Sequence, residues 1–249
     1  MHLKLVDIHH SFVEGIEHAK VVNGVNLSLE KGEFVSIIGP SGCGKSTLFN
    51  LVAGLEIPME GEILLNGQSV NGQRGHVSYM MQKDLLFPWK TVLENVLLGA
   101  TVSKENVREA REEALSLFPL FGLEGYENNY PTVLSGGMKQ RAALLRTFLH
   151  KKELLLLDEP FGALDALTRE KMHEWLLDIW SQMQRSVLFI THSIDEAIFL
   201  SDRIYVLTPR PTAVLQEFNV ELARPRTKEM TLSDEYLELK QKLMKALYR

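Results

Sequence analysis

Residues 39–47 read Gly39-Pro40-Ser41-Gly42-Cys43-Gly44-Lys45-Ser46-Thr47, between an apolar strand-like run, Phe34 to Ile38, and a helix-like stretch, Ser46 to Ala53. The pattern is Gly, four residues, Gly-Lys-Ser. In this setting the spacing is a mechanism. Glycines let successive backbone N–H groups curl around a phosphate chain, and the helix that follows aims the positive end of its dipole at the same anion. The stretch therefore reads as a nucleoside-triphosphate cradle. Lys45 would reach the β- and γ-phosphates, the Ser46 hydroxyl would ligate Mg²⁺, and Thr47 would donate to the α-phosphate. The competing reading, a glycine-rich turn that binds nothing, fits the flanking strand and helix less well.

Composition narrows the host of this loop. The chain has 249 residues, 45% of them hydrophobic, enough for one large α/β domain or a core carrying an inserted subdomain. A formal net charge of −5 argues against a general attraction to nucleic acid or anionic lipid. The single cysteine, Cys43, can form no intramolecular disulfide and suits a reducing cytoplasm. The first residues lack a basic segment followed by a long apolar one. The longest aliphatic runs, such as Leu154 to Leu157, are too short to span a bilayer, so a membrane role is expected through a partner.

From Leu3 to about Gly67 the signals are mostly of strands. Val25 to Leu29 alternates apolar and polar residues, Lys31-Gly32-Glu33 makes a turn, and Ile63 to Leu65 ends at Asn66-Gly67. These segments predict an antiparallel layer beside a parallel core. Gly54 stands where a left-handed cap would end the helix after the phosphate loop. Phe12 precedes the loop in a polar, turn-rich setting, and two readings are open: an aromatic that stacks on a base, or a packing residue of the strand layer.

Val92 to about Leu149 turns helical, with Ala110, Ala114, Leu117 and Phe118 on one face and charged residues on the other. Later elements are a helix with Met172, Trp175, Ile179 and Met183 in a stripe, a strand Val187 to Thr191, and a strand Ile204 to Leu207. A return strand Ala213 to Val220 and a terminal helix with Tyr236, Leu239, Leu243 and Leu247 on one face complete the chain.

Several further residues can carry chemistry. Gln82 ends a short apolar run before Leu86-Phe87-Pro88-Trp89, and can contact Mg²⁺ or an attacking water; in isolation it is a weak signal, since most glutamines at strand ends are merely solvated. Ser135 can cap a helix through Arg146, with Gly136 and Gly137 leaving N–H groups open to an anion; a plain helix start fits too. Asp158 and Glu159 follow the apolar run Leu154 to Leu157, where a central parallel strand delivers ligands. There Asp158 would orient Mg²⁺ and Glu159 would act as general base. Asp165 can cap the next helix. His192 lies between a strand end and Ser193-Ile194-Asp195-Glu196, a capping-box spacing, where it would donate to a γ-phosphate or be structural. Cys43 sits near a helix N-terminus that favours a thiolate, against the plainer reading of a space-filler.

In order, the phosphate loop (39–47), Gln82, Leu134-Ser135-Gly136-Gly137, Asp158-Glu159, Ala163-Leu164-Asp165 and His192 resemble the ATP-binding subunit of an ABC transporter. The resemblance spans nearly the whole chain. It implies an α/β P-loop NTPase core with a mixed sheet, an antiparallel β layer and an inserted helical subdomain. As one domain over 1–249, the core would comprise about 1–86 and 151–225, the helical subdomain about 87–150 and a C-terminal helix about 231–249. It further implies an ATPase that forms a head-to-tail homodimer, with Lys45 of one copy and Ser135-Gly136-Gly137 of the other enclosing each ATP with Mg²⁺. Gln82, Ser46 and Asp158 would be metal ligands, Glu159 would support hydrolysis with Gln82, His192 and Lys45, and Asp165 would communicate across the interface.

Met138 stands where the general signature has Gln. With Phe87-Pro88-Trp89 and Pro160 to Arg169, it makes the chain similar to the subgroup serving nitrate, sulfonate, taurine and pyrimidine-precursor importers. That implies transmembrane permease subunits as partners, a solute-binding protein indirectly, and a place on the cytoplasmic face of the membrane held through the permease. No nucleic-acid partner is expected. The alternative is a non-transport ABC-type ATPase acting on nucleic acid or the ribosome, but the chain lacks the paired ATPase domains, coiled-coil insertions or zinc-binding cysteines such proteins carry. A small-molecule kinase would leave the Ser-Gly-Gly motif unexplained, and a GTPase would need an Asn-Lys-x-Asp pattern that is missing.

Overall fold

The computed structural model describes residues 2–14, 17–103, 106–183 and 185–248. In chain order the strands and helices are β1 (Leu3–Glu14), β2 (Glu17–Leu29), β3 (Phe34–Ile38), α1 (Lys45–Val52), β4 (Glu60–Leu65), β5 (Gln68–Ser69) and β6 (Ser78–Met80). Then come α2 (Val92–Val96), α3 (Leu98–Val102), α4 (Val107–Leu117), α5 (Gly136–Leu149), β7 (Leu154–Asp158) and α6 (Ala166–Met183). Last are β8 (Ser186–Ile190), α7 (Ile194–Leu200), β9 (Arg203–Leu207), β10 (Val214–Asn219) and α8 (Asp234–Leu247). They fall into two compact units, residues 1–76 with 177–249, and residues 77–176.

The first unit holds an antiparallel sheet, ordered β2-β1-β4-β5. On β2, Val25, Leu27 and Leu29 are buried while Asn26 is exposed, as a strand with one covered face requires. On β1 the alternation breaks. Leu3 and Leu5 are buried, the register shifts, and the next core residue is Ile8. Asp7 in that gap has a φ of 49°, a bulge that restores the inward face out of step with the period of two.

The same unit contains a mixed sheet segment. β3 pairs in parallel with both β8 and β9, and β10 returns antiparallel to β9. All five residues of β3 and of β8 are buried, which explains their nearly unbroken apolar runs. Arg203 joins the layers: its guanidinium bonds both carboxylate oxygens of Glu33, the Ser28 carbonyl at 2.8 Å and Glu217 at 2.8 Å. α8 packs Tyr236, Leu243 and Ala246 into a core with Ile198 of α7 and Ile204 and Val206 of β9, with Leu239 and Leu247 alongside. α1 ends as expected, with Gly54 at φ 71°; a side chain there would run into the Gln73 carbonyl, 1.8 Å from an ideal Cβ.

The second unit is wider than its helices alone, because β6 pairs in parallel with β7 and α5 packs on β6. α2, α3 and α4 surround α5. Trp175 anchors this core edge-on to Phe121, with ring centroids 4.3 Å apart, and against Phe148 at 5.2 Å. Met172 and Trp175 of the expected α6 stripe are buried. The side chain of Met183 lies outside the described residues. α2 begins with a complete capping box, Thr91 with Glu94, that its sequence also spells. Buried Asn95 then bonds the backbone of Phe87, Lys90 and Thr91, holding the turn in which Phe87 and Trp89 stack at 5.1 Å on the exposed surface.

Candidate functional site

In the first unit, β3 runs out at Ile38, the loop of residues 39–44 follows, and α1 starts at Lys45. Gly44 turns the chain with a φ of 120° and passes so close to β2 that an added Cβ would stand 2.9 Å from the Val21 side chain. Among the described residues no side chain caps α1, and the first-turn N–H groups at Lys45, Ser46 and Thr47 have no acceptor from within the helix. Ser41, Gly42 and Ser46 are exposed, Pro40 and Thr47 are half-buried, and Gly39 is buried.

Lys45 is 5% exposed. Its ammonium donates to the carbonyls of Gly39 and Pro40, each at 2.9 Å, and lies 3.9 Å from Cys43 Sγ. Every one of these partners is neutral. A buried cation compensated only by dipoles is costly, and an anion entering the loop removes that cost. The loop thus fits a phosphate chain on its own geometry. Cys43 is buried, as a space-filling residue would be.

Thr212 supports the loop from behind. Its hydroxyl donates to the Cys43 carbonyl, its N–H donates to Val21 O at 2.8 Å, and its carbonyl accepts from Asn23 N at 2.8 Å. His192 follows β8 on the surface of the same unit. After it Ser193 caps α7 by accepting from Glu196 N at 3.2 Å, while the Glu196 carboxylate takes the buried Thr191 hydroxyl. Phe12 lies in β1 opposite Ala19, half-buried and edge-on to His10 at 4.9 Å, so it packs in the strand layer while keeping part of its ring accessible.

In the second unit β7 delivers Asp158, 1% exposed, and then Glu159, whose φ of 51° is unusual for a residue with a side chain. Tyr79, on the neighbouring strand, has its hydroxyl pushed above the ordinary phenol range by burial and then by the Asp158 charge. Gln82 donates to Glu159 Oε2 at 3.1 Å. The Glu159 carbonyl accepts from Gly162 N at 3.2 Å and from Gln140 Nε2 at 2.9 Å. Asp165 accepts from Thr168 N at 3.0 Å, capping α6, and that backbone bond holds its carboxyl below the usual range.

Ser135 caps α5 by accepting from Met138 N at 3.2 Å. Gly136 is exposed with open space where a side chain would stand, and Gly137 is half-buried, so the helix mouth is unobstructed. Lower on α5, Arg146 donates to the carbonyls of Asp84 and Leu85 at 2.6 and 2.9 Å. A cleft of about 400 Å³ lies between the Gln82 segment and the start of α5, lined by Gln82, Asp84, Leu85, Gly136, Gln140 and Ala163.

Within the second unit, therefore, the fold brings Gln82, Asp158 and Glu159 together and holds Ser135, Gly136 and Gly137 at one helix end. Within the first it gathers Lys45, Ser46 and Thr47 at another. Sequence reasoning missed Gln140, Arg146 and Thr212. The faint signal for Gln140 is a polar amide on an α5 face otherwise built from Ala143, Leu144 and Phe148.

The oxygens of Ser46, Gln82 and Asp158 are hard donors of the kind Mg²⁺ takes. Among the described residues no group of three or more His, Cys, Asp or Glu side chains could hold a metal.

The family described as ABC transporter matches residues 22–162. The aliphatic sulfonates import ATP-binding protein of Bacillus cereus is 41% identical over 225 residues, 90% of this chain and 87% of that protein. The nitrate import ATP-binding protein of Synechocystis is 42% identical over 222 residues, 89% of this chain and 84% of that protein. A dimeric bacterial ABC transporter cassette superposes with a TM-score of 0.80 at 32% identity, covering 89% of this chain and 100% of its own. A post-hydrolysis structure of that cassette, bound to ADP and Pi, gives a TM-score of 0.78 at 30% identity, with the same coverage.

Proposed function

The chain belongs to the ABC transporter family as an ATP-binding, ATP-hydrolysing subunit, and from that premise we propose that it powers solute import as a head-to-tail homodimer docked on separate permease subunits. The single observation that carries the dimer is the presence of two open helix mouths suited to phosphate, α1 behind Lys45 and α5 behind Ser135, far apart in the chain. In the proposed dimer each ATP lies between the Lys45 loop of one copy and the Ser135-Gly136-Gly137 mouth of the other.

Lys45 and the N–H groups of residues 42–47 hold the β- and γ-phosphates, and Phe12 lies against the base. Ser46, Gln82 and Asp158 would hold Mg²⁺, which when bound would supply charge that offsets the phosphate oxygens. Glu159 accepts the proton of the attacking water, Gln82 orients that water, and His192 donates to the γ-phosphate. Asp165 faces the other copy. In-line phosphoryl transfer needs charge stabilisation more than covalent chemistry, and these groups provide it.

Import of a nitrate-, sulfonate- or taurine-like anion, or of a pyrimidine precursor, is supported by the names of the sulfonate and nitrate relatives. A solute-binding protein would feed the permease. Among the described residues no helix is long and apolar enough to cross a membrane. In this reading the subunit works at the cytoplasmic face, held there through its permease.

The test is light scattering of the Glu159→Gln chain with and without ATP. A mass doubling that requires ATP, and that Ser135→Arg abolishes, is expected. A monomer at saturating ATP overturns the dimer. Reconstitution with co-purified permease subunits then reads import directly, and outward transport alone would overturn the direction.

A further inference from the structure

We propose that Gln140 is a positioning residue through which the helix mouth offered to one ATP governs the general base that acts on the other, so that one buried amide couples the two sites. The proposal rests on the dimer reading above.

Gln140 lies on α5 five residues beyond the cap Ser135, about 7.5 Å along the helix axis, and is buried. Both ends of its amide are used. Nε2 donates to the Glu159 carbonyl at 2.9 Å, and Oε1 accepts from Ala163 N at 2.8 Å. The planar amide thereby spans the turn of residues 159–163, whose inner bond runs from Gly162 N to Glu159 O. At the head of this turn Glu159 keeps a left-handed φ of 51°, a conformation that lasts only where the surroundings hold it. Gln140 is one such restraint, and it acts on the main chain of the base.

The Glu159 side chain is restrained from the same helix by a second route. Its carboxylate meets Gln82 at 3.1 Å, and the carbonyls of Asp84 and Leu85, just after Gln82, accept from Arg146 of α5. A helix moves along its axis nearly as a rigid rod. When the Ser135 end engages phosphate, any shift of α5 reaches the Glu159 main chain through Gln140 and the Gln82 segment through Arg146. An apolar side chain of the same length would fill the space without transmitting the shift, because only the paired hydrogen bonds fix where the turn sits.

The test uses the full-length chain with its permease, comparing wild type, Gln140→Met and Gln140→Glu. Met removes both bonds at similar volume; Glu keeps the acceptor for Ala163 N and loses the donor. For Gln140→Met the expectation is a kcat at least tenfold lower, an ATP KM within about twofold of wild type, and a Hill coefficient in ATP falling from near two towards one. Gln140→Glu should fall between, and it carries the test alone if the Met variant does not fold. A Hill coefficient unchanged from wild type overturns the proposal whatever happens to kcat. So does a kcat loss matched by lost ATP affinity and a lower unfolding temperature, which marks a merely structural amide. If Glu159→Gln fails to dimerise in ATP, the premise falls; if it dimerises and the Gln140 variants keep wild-type cooperativity, only the role of Gln140 falls.

Discussion

The side-chain amide of Gln82 donates to a carboxylate oxygen of Glu159 at 3.1 Å, joining a residue just past the end of β6 to one just past the end of β7. A Gln at position 159 would present a carbonyl to the same donor, so Glu159→Gln removes the charge and leaves the neighbourhood in place. Hydrolysis should fall by roughly a hundredfold or more, the scale of a lost general base, with ATP affinity within a few-fold of wild type. Phosphate release and nucleotide binding, measured separately, check this. Undiminished turnover would remove Glu159 from the reaction.

Lys45 makes the opposite kind of prediction. Its buried ammonium has only neutral partners among the described residues, so Lys45→Met should leave the nucleotide-free unfolding temperature unchanged or raised. ATP at a hundred times its Kd stabilises a binding-competent fold by about 2.7 kcal/mol. Wild type should therefore show an upward shift of several degrees that the variant lacks, read by calorimetry. A variant that melts well below wild type without nucleotide would contradict the electrostatic account of the loop.

Asp165 sets a dependence on acid. Its folded carboxyl is held below the ordinary value by the Thr168 N–H, so its capping contribution is complete above the unfolded pKa and is lost as pH falls through the folded one. Asp165→Asn keeps a cap that does not titrate. Wild type should be the more stable of the two near neutrality, and the difference should shrink towards zero as the medium becomes strongly acidic. Denaturant melts across that range decide it; a difference that grows with acid would reverse the assignment.

Thr212→Val removes the hydroxyl that the Cys43 carbonyl accepts from, inside a buried contact between the phosphate loop and the segment just before β10. An orphaned buried acceptor costs about 1–3 kcal/mol. The expected kinetic signature is a several-fold rise in the KM for ATP with kcat nearly unchanged, and Thr212→Ser should recover it. Equal KM in Val and wild type would show that the loop keeps its shape without this tie.

Much of the architecture is written in contiguous stretches. The glycine-lysine loop between β3 and α1, the left-handed Gly54, the caps Ser135 and Asp165, and the fully apolar β7 all depend on residues within a few positions of one another. The break in β1 is less readable, because the bulge at Asp7 shifts the inward face by one residue and hides Leu3, Leu5 and Ile8 from a period of two. The capping box of α2 is spelled by Thr91 and Glu94, three positions apart and next to the exposed pair Phe87 and Trp89. At Ser193 only the near half of the expected box is drawn on, since Glu196 turns to Thr191.

By itself the sequence determined the chemistry: a phosphate loop, two carboxylates at the end of a buried strand, a glutamine, a Ser-Gly-Gly helix start and a histidine in one order. Only the tertiary structure decided which groups hold these in place. Gln140 meets Glu159 across 19 positions, Arg146 meets Asp84 across 62, and Thr212 meets Cys43 across 169. The physical reason is the reach of a hydrogen bond. A cap or a turn finds its partner within one helical pitch of chain, whereas a buried amide, guanidinium or hydroxyl is satisfied by whichever backbone group packing brings within about 3 Å.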